Sequence, residues 1–186
     1  MSNFQLQAGD KAHNFDFNTP WATQQNFYES LGEKPAVLVF LRYYGCPVCQ
    51  MEMVNLKEEF ELFAKKETKV FVFLQSSPEI VAKATNEEAW PFSIVCDPGG
   101  EIFEKYAVEP GGFLKYLNPV GMFSAMKAIG KGYKHGKFEG KETQTPAAFA
   151  VNATKSINYA YYGANISDVP SPVAIAENIE TTSPAE

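Results

Sequence analysis

The chain has 186 residues, of which 45% are hydrophobic and 20% are charged, and its formal net charge at pH 7 is -6. This composition is typical of a folded globular protein and excludes a disordered or fibrous one, and the negative charge disfavours nucleic acid as a partner. The N-terminal stretch MSNFQLQAGDKAHNF has neither the basic start nor the apolar run of a secretory signal, and no apolar stretch is long enough to span a bilayer. We therefore expect a cytoplasmic protein without a membrane partner.

The first strong structural signal is the apolar run AVLVFLR at 36–42, which predicts a strand buried on both faces. Apolar side chains then recur at helical spacing, at Cys49, Met53, Leu56, Phe60 and Phe63. They predict a helix that reaches to about Lys66. Pro47 suits the first position of this helix, which places Cys46 at its N-cap.

The remaining elements follow from the same kinds of pattern. Strands are predicted at 69–75, 91–96, 147–151 and 156–162, and helices from Ser77 to about Ala89, over 100–108 and from Ser171 onward. Residues 109–145 are rich in glycine and lysine around a possible helix at Phe113–Ile129, and we interpret them as an excursion from the core. A polar tail is predicted at about 181–186.

The order of these elements predicts an α/β fold. Strands and helices alternate through the first half and a hairpin follows, which implies a mixed central sheet flanked by helices. We expect one domain over residues 1–186. Ligand chemistry in such sheets lies at the carboxyl ends of strands, where Cys46 and Cys49 are predicted.

The two thiols have the surroundings that a redox site needs. At the N-cap, Cys46 would face unpaired backbone N–H groups and the positive end of the helix dipole, which favour a thiolate. Cys49, one turn further, is expected to be more buried. Arg42 is the only arginine of the chain and precedes Cys46 by four residues, so its charge could reach either sulfur.

Other interpretations of these residues compete with the redox one. A CxxC can be half of a zinc site, but the other cysteine and histidines, Cys96, His13 and His135, are scattered along the chain, so we predict no metal. Buried, inert cysteines are a further alternative, and core packing is the favoured role for Cys96. Tyr43 and Tyr44 either line a substrate pocket or simply pack at the strand end.

The stretch VLVFLRYYGCPVCQMEMVNL resembles the peroxiredoxins of the alkyl hydroperoxide reductase/thiol-specific antioxidant group, especially a branch with a CxxC. The segments AGDKAHNFDF, SIVCDPGGEIFEKYAV, TQTPAAFAVNATKSINYAYYG and SDVPSPVAIAENI resemble other parts of that family in the same order. The resemblance implies a thioredoxin-like fold. It also implies that Pro146 matches the cis-proline of thioredoxins, which lies opposite the thiols and shapes the substrate groove.

The resemblance leaves the identity of the nucleophile open. Aligned with peroxiredoxins, Cys49 takes the position of the attacking cysteine, Cys46 that of a threonine and Arg42 that of a proline. Read as a thioredoxin CxxC, the motif instead makes Cys46 the nucleophile. The family's later arginine has no counterpart, since Pro146 stands about there, and Arg42 is a candidate to replace it.

Our leading hypothesis is a thiol-dependent antioxidant oxidoreductase that reduces hydroperoxides through a cycle between the Cys46/Cys49 dithiol and disulfide. A thioredoxin- or glutaredoxin-like donor would regenerate the dithiol, no cofactor is needed, and a homodimer is possible. The alternatives are a thioredoxin-type protein disulfide reductase, whose substrate is a disulfide, and a redox-inactive binding module that uses residues 109–145 as a partner surface.

Overall fold

The computed structural model describes residues 4–112 and 119–180, and its centre is a five-stranded sheet. The chain begins with a small antiparallel pair, β1 and β2, and the central sheet is built from β3 to β7. The strands are β1 (Asp16–Phe17), β2 (Gln25–Asn26), β3 (Ala36–Phe40), β4 (Lys69–Leu74), β5 (Ser93–Cys96), β6 (Ala147–Val151) and β7 (Ile157–Tyr162).

The central sheet is mixed, as the sequence predicts. Its strand order is β5-β4-β3-β6-β7, with β3, β4 and β5 parallel and with β6 antiparallel to both β3 and β7. Phe40 pairs with both Phe73 and Ala147, so the residues that follow β3 and β4 and those that precede β6 lie at the same end of the central strands. The thiols lie at this end of the sheet.

Helices cover both faces of the sheet. They are α1 (Phe27–Leu31), α2 (Pro47–Glu58), α3 (Glu61–Ala64), α4 (Pro78–Ala84), α5 (Glu101–Lys105), α6 (Pro119–Gly130) and α7 (Pro172–Glu177), with a single 3₁₀ turn at Glu87–Ala89. The prediction of one helix reaching Lys66 is wrong, because the N–H of Phe60 bonds to the carbonyl of Lys57, a tighter turn that ends α2.

The alternation of side chains along β3 divides the core into two layers. Val37, Val39 and Leu41 face the layer that contains α2 and both thiols of the CxxC. Leu38 and Phe40 face the opposite layer, where Phe40 stacks on Phe73 with 4.2 Å between ring centroids. Apolar residues on both faces explain why this strand has no polar alternation.

The excursion at 109–145 packs against the thiol-bearing side of the molecule. Within its described part, helix α6 contacts α2 and exposes Phe123, Met126 and Ile129. The first residues of the helix predicted at Phe113–Ile129, namely 113–118, and the polar tail at 181–186 lie outside the described residues. Across residues 4–112 and 119–180, no helix combines the length and apolarity that crossing a bilayer requires.

Candidate functional site

Cys46 lies where a buried strand turns into a helix. Strand β3 ends at Phe40, and α2 begins at Pro47 with Cys46 as its N-cap, as the sequence predicts. The sulfur of Cys46 accepts a hydrogen bond from the backbone N–H of Cys49 at 3.3 Å. The Cys46 side chain thus satisfies one of the N–H groups that a helix start leaves unpaired.

The guanidinium of Arg42 lies between the Cys46 sulfur and residue Glu142. Its Nη2 donates to the sulfur of Cys46 at 3.0 Å. Its Nη1 donates to the backbone carbonyl of Glu142 at 2.9 Å and lies 3.6 Å from Oε2 of the same residue. A permanent positive charge is therefore held against one thiol by a residue 100 positions further along the chain.

The two thiols of the CxxC have pKa values shifted in opposite directions. A hydrogen bond from the Cys49 side chain, together with the charge of Arg42 and the backbone N–H of Cys49, lowers the pKa of Cys46 to about 6 against the opposing effect of burial. Burial raises the pKa of Cys49, and so does its hydrogen bond to Cys46. At neutral pH the pair therefore holds a thiolate at Cys46 and a neutral thiol at Cys49.

Both sulfurs are shielded from solvent. Cys46 is 0% exposed and Cys49 is 3% exposed, so the expectation that Cys46 is the more accessible of the two is wrong. The reason is a stretch of residues 134–142, here called the cover segment, that passes over the start of α2. The N–H of Gly136 donates to the carbonyl of Gly45 at 2.8 Å, directly before Cys46.

The cover segment is fixed at several further points around the thiols. Gln50 on α2 donates to the carbonyl of Lys134 at 3.3 Å. After β4, the hydroxyl of Ser76 donates to the carboxylate of Glu139 at 2.8 Å, and Oε1 of Gln75 accepts from the N–H of Lys141 at 2.7 Å. The cover segment, which is part of the excursion, therefore encloses the site on this side. The excursion is thus not only a surface for a partner.

Tyr43 connects the cover segment to the strand end. Its ring is fully buried, and its hydroxyl lies 3.0 Å from Nε2 of His135. Nδ1 of His135 lies 2.8 Å from the carbonyl of Gly136, which can only accept, so Nδ1 is the donor of that contact. Burial and the neighbouring Glu142 carboxylate raise the pKa of Tyr43, which stays neutral.

Tyr44 and Pro146 have different surroundings from Tyr43. The backbone N–H of Tyr44 donates to the hydroxyl oxygen of Ser76 at 2.9 Å, and burial raises the pKa of the Tyr44 side chain. Pro146 directly precedes β6, at the end of the sheet where the thiols lie, and its carbonyl accepts from the N–H of Gly163. All peptide bonds in the described part of the chain are trans, so Pro146 differs in this respect from the cis-proline of thioredoxins that the resemblance matches it with.

Cys96 and His13 make none of the contacts described above for the thiols of Cys46 and Cys49. Cys96 is buried at the end of β5, and burial, with smaller contributions from nearby carboxylates, raises the pKa of its thiol to about 12. The ring of His13 packs edge-on against Tyr106. Among residues 4–112 and 119–180, no group of three or more histidine, cysteine or acidic side chains is placed to hold a metal ion.

Two contacts of this site were not predicted from the sequence. Glu142 pairs with Arg42, and Nε2 of His135 lies within hydrogen-bond distance of the hydroxyl of Tyr43. One signal for Glu142 was present, because a single arginine after a buried strand requires an acidic or carbonyl partner, and 109–145 contains few acids. No pattern in the sequence indicated His135.

Comparison with known proteins gives a family and a fold. A model described as the AhpC/TSA family matches residues 8–160. A search of curated protein sequences finds no match. Among solved structures, the peroxidoxin BcpB from Mycobacterium tuberculosis is 14% identical, with a TM-score of 0.65 and coverage of 93% of each chain.

Two further solved structures are similar to this chain. The thiol peroxidase from Chromobacterium violaceum is 18% identical with a TM-score of 0.62, covering 94% of this chain and 86% of that one. The yeast mitochondrial 1-Cys peroxiredoxin is 19% identical with a TM-score of 0.57, covering 85% and 68%. These likenesses confirm the predicted thioredoxin-like fold, with its mixed sheet flanked by helices.

Proposed function

The chain belongs to the AhpC/TSA family, and from this premise we propose that Cys46 is its attacking thiol and Cys49 its resolving thiol in the reduction of hydroperoxides. The predicted class, a thiol-dependent peroxidase, is confirmed by the family. Neither alternative, the disulfide reductase or the binding module, is better supported. What family membership leaves open is which sulfur reacts and how.

The observation that best supports this proposal is that the pKa values of the two thiols are shifted in opposite directions. Cys46 alone of the three cysteines has a lowered pKa, and its sulfur accepts hydrogen bonds from both Arg42 and the Cys49 N–H. The thiolate is the nucleophilic form of cysteine. Cys49 keeps its proton while Cys46 is the thiolate, so it loses that proton only in the second step, when it attacks in its turn.

The cycle has two chemical steps inside the protein. The Cys46 thiolate attacks the terminal oxygen of the hydroperoxide, the O–O bond breaks, and the products are a Cys46 sulfenic acid and an alkoxide that takes a proton from water. Cys49 then loses its proton and attacks the sulfenic sulfur, the S–O bond breaks as the Cys46–Cys49 disulfide forms, and the hydroxyl leaves with that proton as water.

Return to the dithiol needs an external reductant. The yeast peroxiredoxin is described by a thiol-resolving mechanism via glutathione/thioredoxin systems. For this chain we propose a dithiol donor of thioredoxin or glutaredoxin type, which reduces the Cys46–Cys49 disulfide by exchange. Cytoplasmic location and a homodimer stay predictions.

The proposal is tested by intact mass after one equivalent of hydrogen peroxide is added to reduced protein. We expect the wild type to lose two hydrogens, Cys49→Ser to gain one oxygen, and Cys46→Ser to stay unchanged. The reverse pattern in the two variants would make Cys49 the attacker. A wild type that neither changes mass nor consumes peroxide, yet reduces insulin disulfides rapidly, would favour the disulfide reductase instead.

A further inference from the structure

Helix α6 turns three large apolar side chains to solvent and small residues to the protein. The described residues that pack inward are Gly121, Ala125 and Ala128. The large apolar side chains that are more than half exposed are Phe123, Met126 and Ile129. A helix that packs on a globular core normally has the opposite arrangement, so the outer face of α6 indicates a partner.

The exposed side chains form one apolar stripe. With about 3.6 residues per turn, Phe123, Met126 and Ile129 span only about 120° of the helix circumference. Phe138, in the cover segment that follows α6, is exposed as well. Of the six exposed large apolar side chains in the described residues, four therefore lie between 123 and 138, which is a concentration rather than the usual scatter.

The surroundings of this stripe are basic and contain no acid. Residues 110–138 include five lysines, whereas all 22 aspartates and glutamates of the chain lie outside this range. The contrast is strong in a chain whose formal net charge is -6. Four of these lysines are described and exposed, namely Lys127, Lys131, Lys134 and Lys137. The name basic apolar patch is used here for these four lysines together with Phe123, Met126, Ile129 and Phe138.

The lysines of the basic apolar patch are not neutralised within the protein. Among the described residues, the cations that form ion pairs lie outside the patch and are Lys34, Arg42 and Lys65. Burial raises the pKa of Glu52 on α2, and the charges of Lys127 and Lys131 act against this rise without an ion-pair contact. The positive charge of the patch is therefore available to an external anionic surface.

We propose that the basic apolar patch binds the surface of a bilayer that contains acidic phospholipids. The apolar stripe of α6 enters the boundary between headgroups and acyl chains, and the lysines contact the negatively charged headgroups. The patch thus supplies both signals that surface binding takes, apolar area and positive charge. The proposal revises the expectation of no membrane partner, which considered only segments that span a bilayer.

A bilayer fits the basic apolar patch better than a second copy or another protein does. A symmetric dimer through α6 would bring the lysines of two patches together, which like-charge repulsion disfavours. Side chains that project from one helix need a matching apolar recess in a rigid protein, whereas a fluid bilayer adapts to them. Because Lys134, Lys137 and Phe138 belong to the cover segment, binding also places this segment at the membrane surface.

The first test is sedimentation of the whole protein with vesicles. We expect binding to vesicles of equal parts phosphatidylcholine and phosphatidylserine to be at least about tenfold stronger than to pure phosphatidylcholine. Raising the salt from about 0.1 M to about 1 M should release most of the protein, because the Debye length falls from about 10 Å to about 3 Å.

Two paired variants separate the basic apolar patch from the rest of the surface. Phe123→Ser with Lys127→Gln removes one apolar and one charged member of the patch, and should weaken binding to the mixed vesicles at least about tenfold. Phe4→Ser with Lys83→Gln makes the same exchanges at exposed positions elsewhere, and should bind within about twofold of the wild type. Circular dichroism and peroxide consumption in solution should be unchanged in both, because the altered side chains are exposed.

Insertion of α6 is tested separately by Phe123→Trp, with Phe4→Trp as its control. On the mixed vesicles, the emission of Phe123→Trp should shift to the blue and be quenched by brominated acyl chains, since the indole enters an apolar environment. Phe4→Trp should show neither change. Trp21 and Trp90 contribute the same background to both variants.

Three results would overturn the proposal, and none of them depends on which thiol reacts. Equal binding of the wild type to the two kinds of vesicle would exclude recognition of acidic lipid. Equal losses in the two paired variants would exclude the patch, and binding without a blue shift of Phe123→Trp would exclude insertion of α6. If the wild type ignores vesicles and light scattering shows a dimer that Phe123→Ser with Lys127→Gln dissociates, the face joins two copies instead.

Discussion

Gly45 and Gly136 lie so close together that a Cβ atom on either residue would be crowded by backbone atoms. A Cβ atom on Gly136 would lie 3.0 Å from the Cα of Gly45, and one on Gly45 would lie 2.8 Å from the carbonyl oxygen of Lys137. Both contacts are with backbone, which cannot move aside as a flexible side chain can. This glycine pair is what lets the cover segment lie directly over Cys46.

Gly136→Ala should therefore loosen the cover segment. The added methyl group forces the segment away from Gly45, and we expect a bulky maleimide to label Cys46 roughly threefold to tenfold faster, since labelling requires local opening. Gly130→Ala is the control, because a Cβ at Gly130 meets nothing within 4 Å. Equal labelling rates in both variants and the wild type would show that the glycine contact does not limit access.

Asp97, which lies away from the thiols, is predicted to contribute strongly to the stability of the fold. Its buried carboxylate accepts from the backbone N–H groups of Glu101, Ile102 and Phe103 at the start of α5. Asp97→Ala leaves these donors unpaired and should lower the free energy of unfolding by about 2–3 kcal/mol.

Denaturant unfolding measures the effect of Asp97→Ala. Glu33→Ala, which removes an exposed carboxylate, is the comparison and should change the free energy of unfolding by no more than about 0.5 kcal/mol. A loss for Asp97→Ala as small as that of Glu33→Ala would contradict the capping role.

Cys96 is predicted to be inert in the folded protein. It is 6% exposed, and burial raises the pKa of its thiol to about 12, so almost none of it is thiolate at neutral pH. After treatment with iodoacetamide at neutral pH, peptide mass spectrometry should find Cys46 modified and Cys96 intact. In denaturant Cys96 should be modified as well. Equal labelling of both in the native protein would be inconsistent with the lowered pKa of Cys46 and the raised pKa of Cys96.

The fold was predictable mainly where local patterns were long. The apolar run at β3 and the proline after an N-cap at α2, α4 and α7 indicated these elements directly. β1 and β2 were missed because strands of two residues carry no usable periodicity. Helix α1 was missed although Asn26 caps it and Glu29 follows three positions later, a recognised helix-start signal.

Only the contacts of the site between residues that are close in sequence were predictable. Arg42, Cys46 and Cys49 lie within eight residues, so the strand-to-helix turn brings them together. The contact of Arg42 with Glu142 spans 100 positions and depends on the path of an excursion without a regular pattern. For the same reason the burial of Cys46 could not be derived, since residues far along the chain provide its cover.

The most direct test of the account is the ionisation of Cys46 itself. In a Cys49→Ser, Cys96→Ser protein, the serine hydroxyl still donates at position 49 and Cys46 is the only thiol left to titrate. Thiolate absorbance and the iodoacetamide rate should both rise with pH through a midpoint near 6 and then level off, since the thiolate is the absorbing and reactive form. A midpoint at or above the ordinary cysteine pKa of about 8.5 would contradict the assignment of Cys46 as the attacking thiolate.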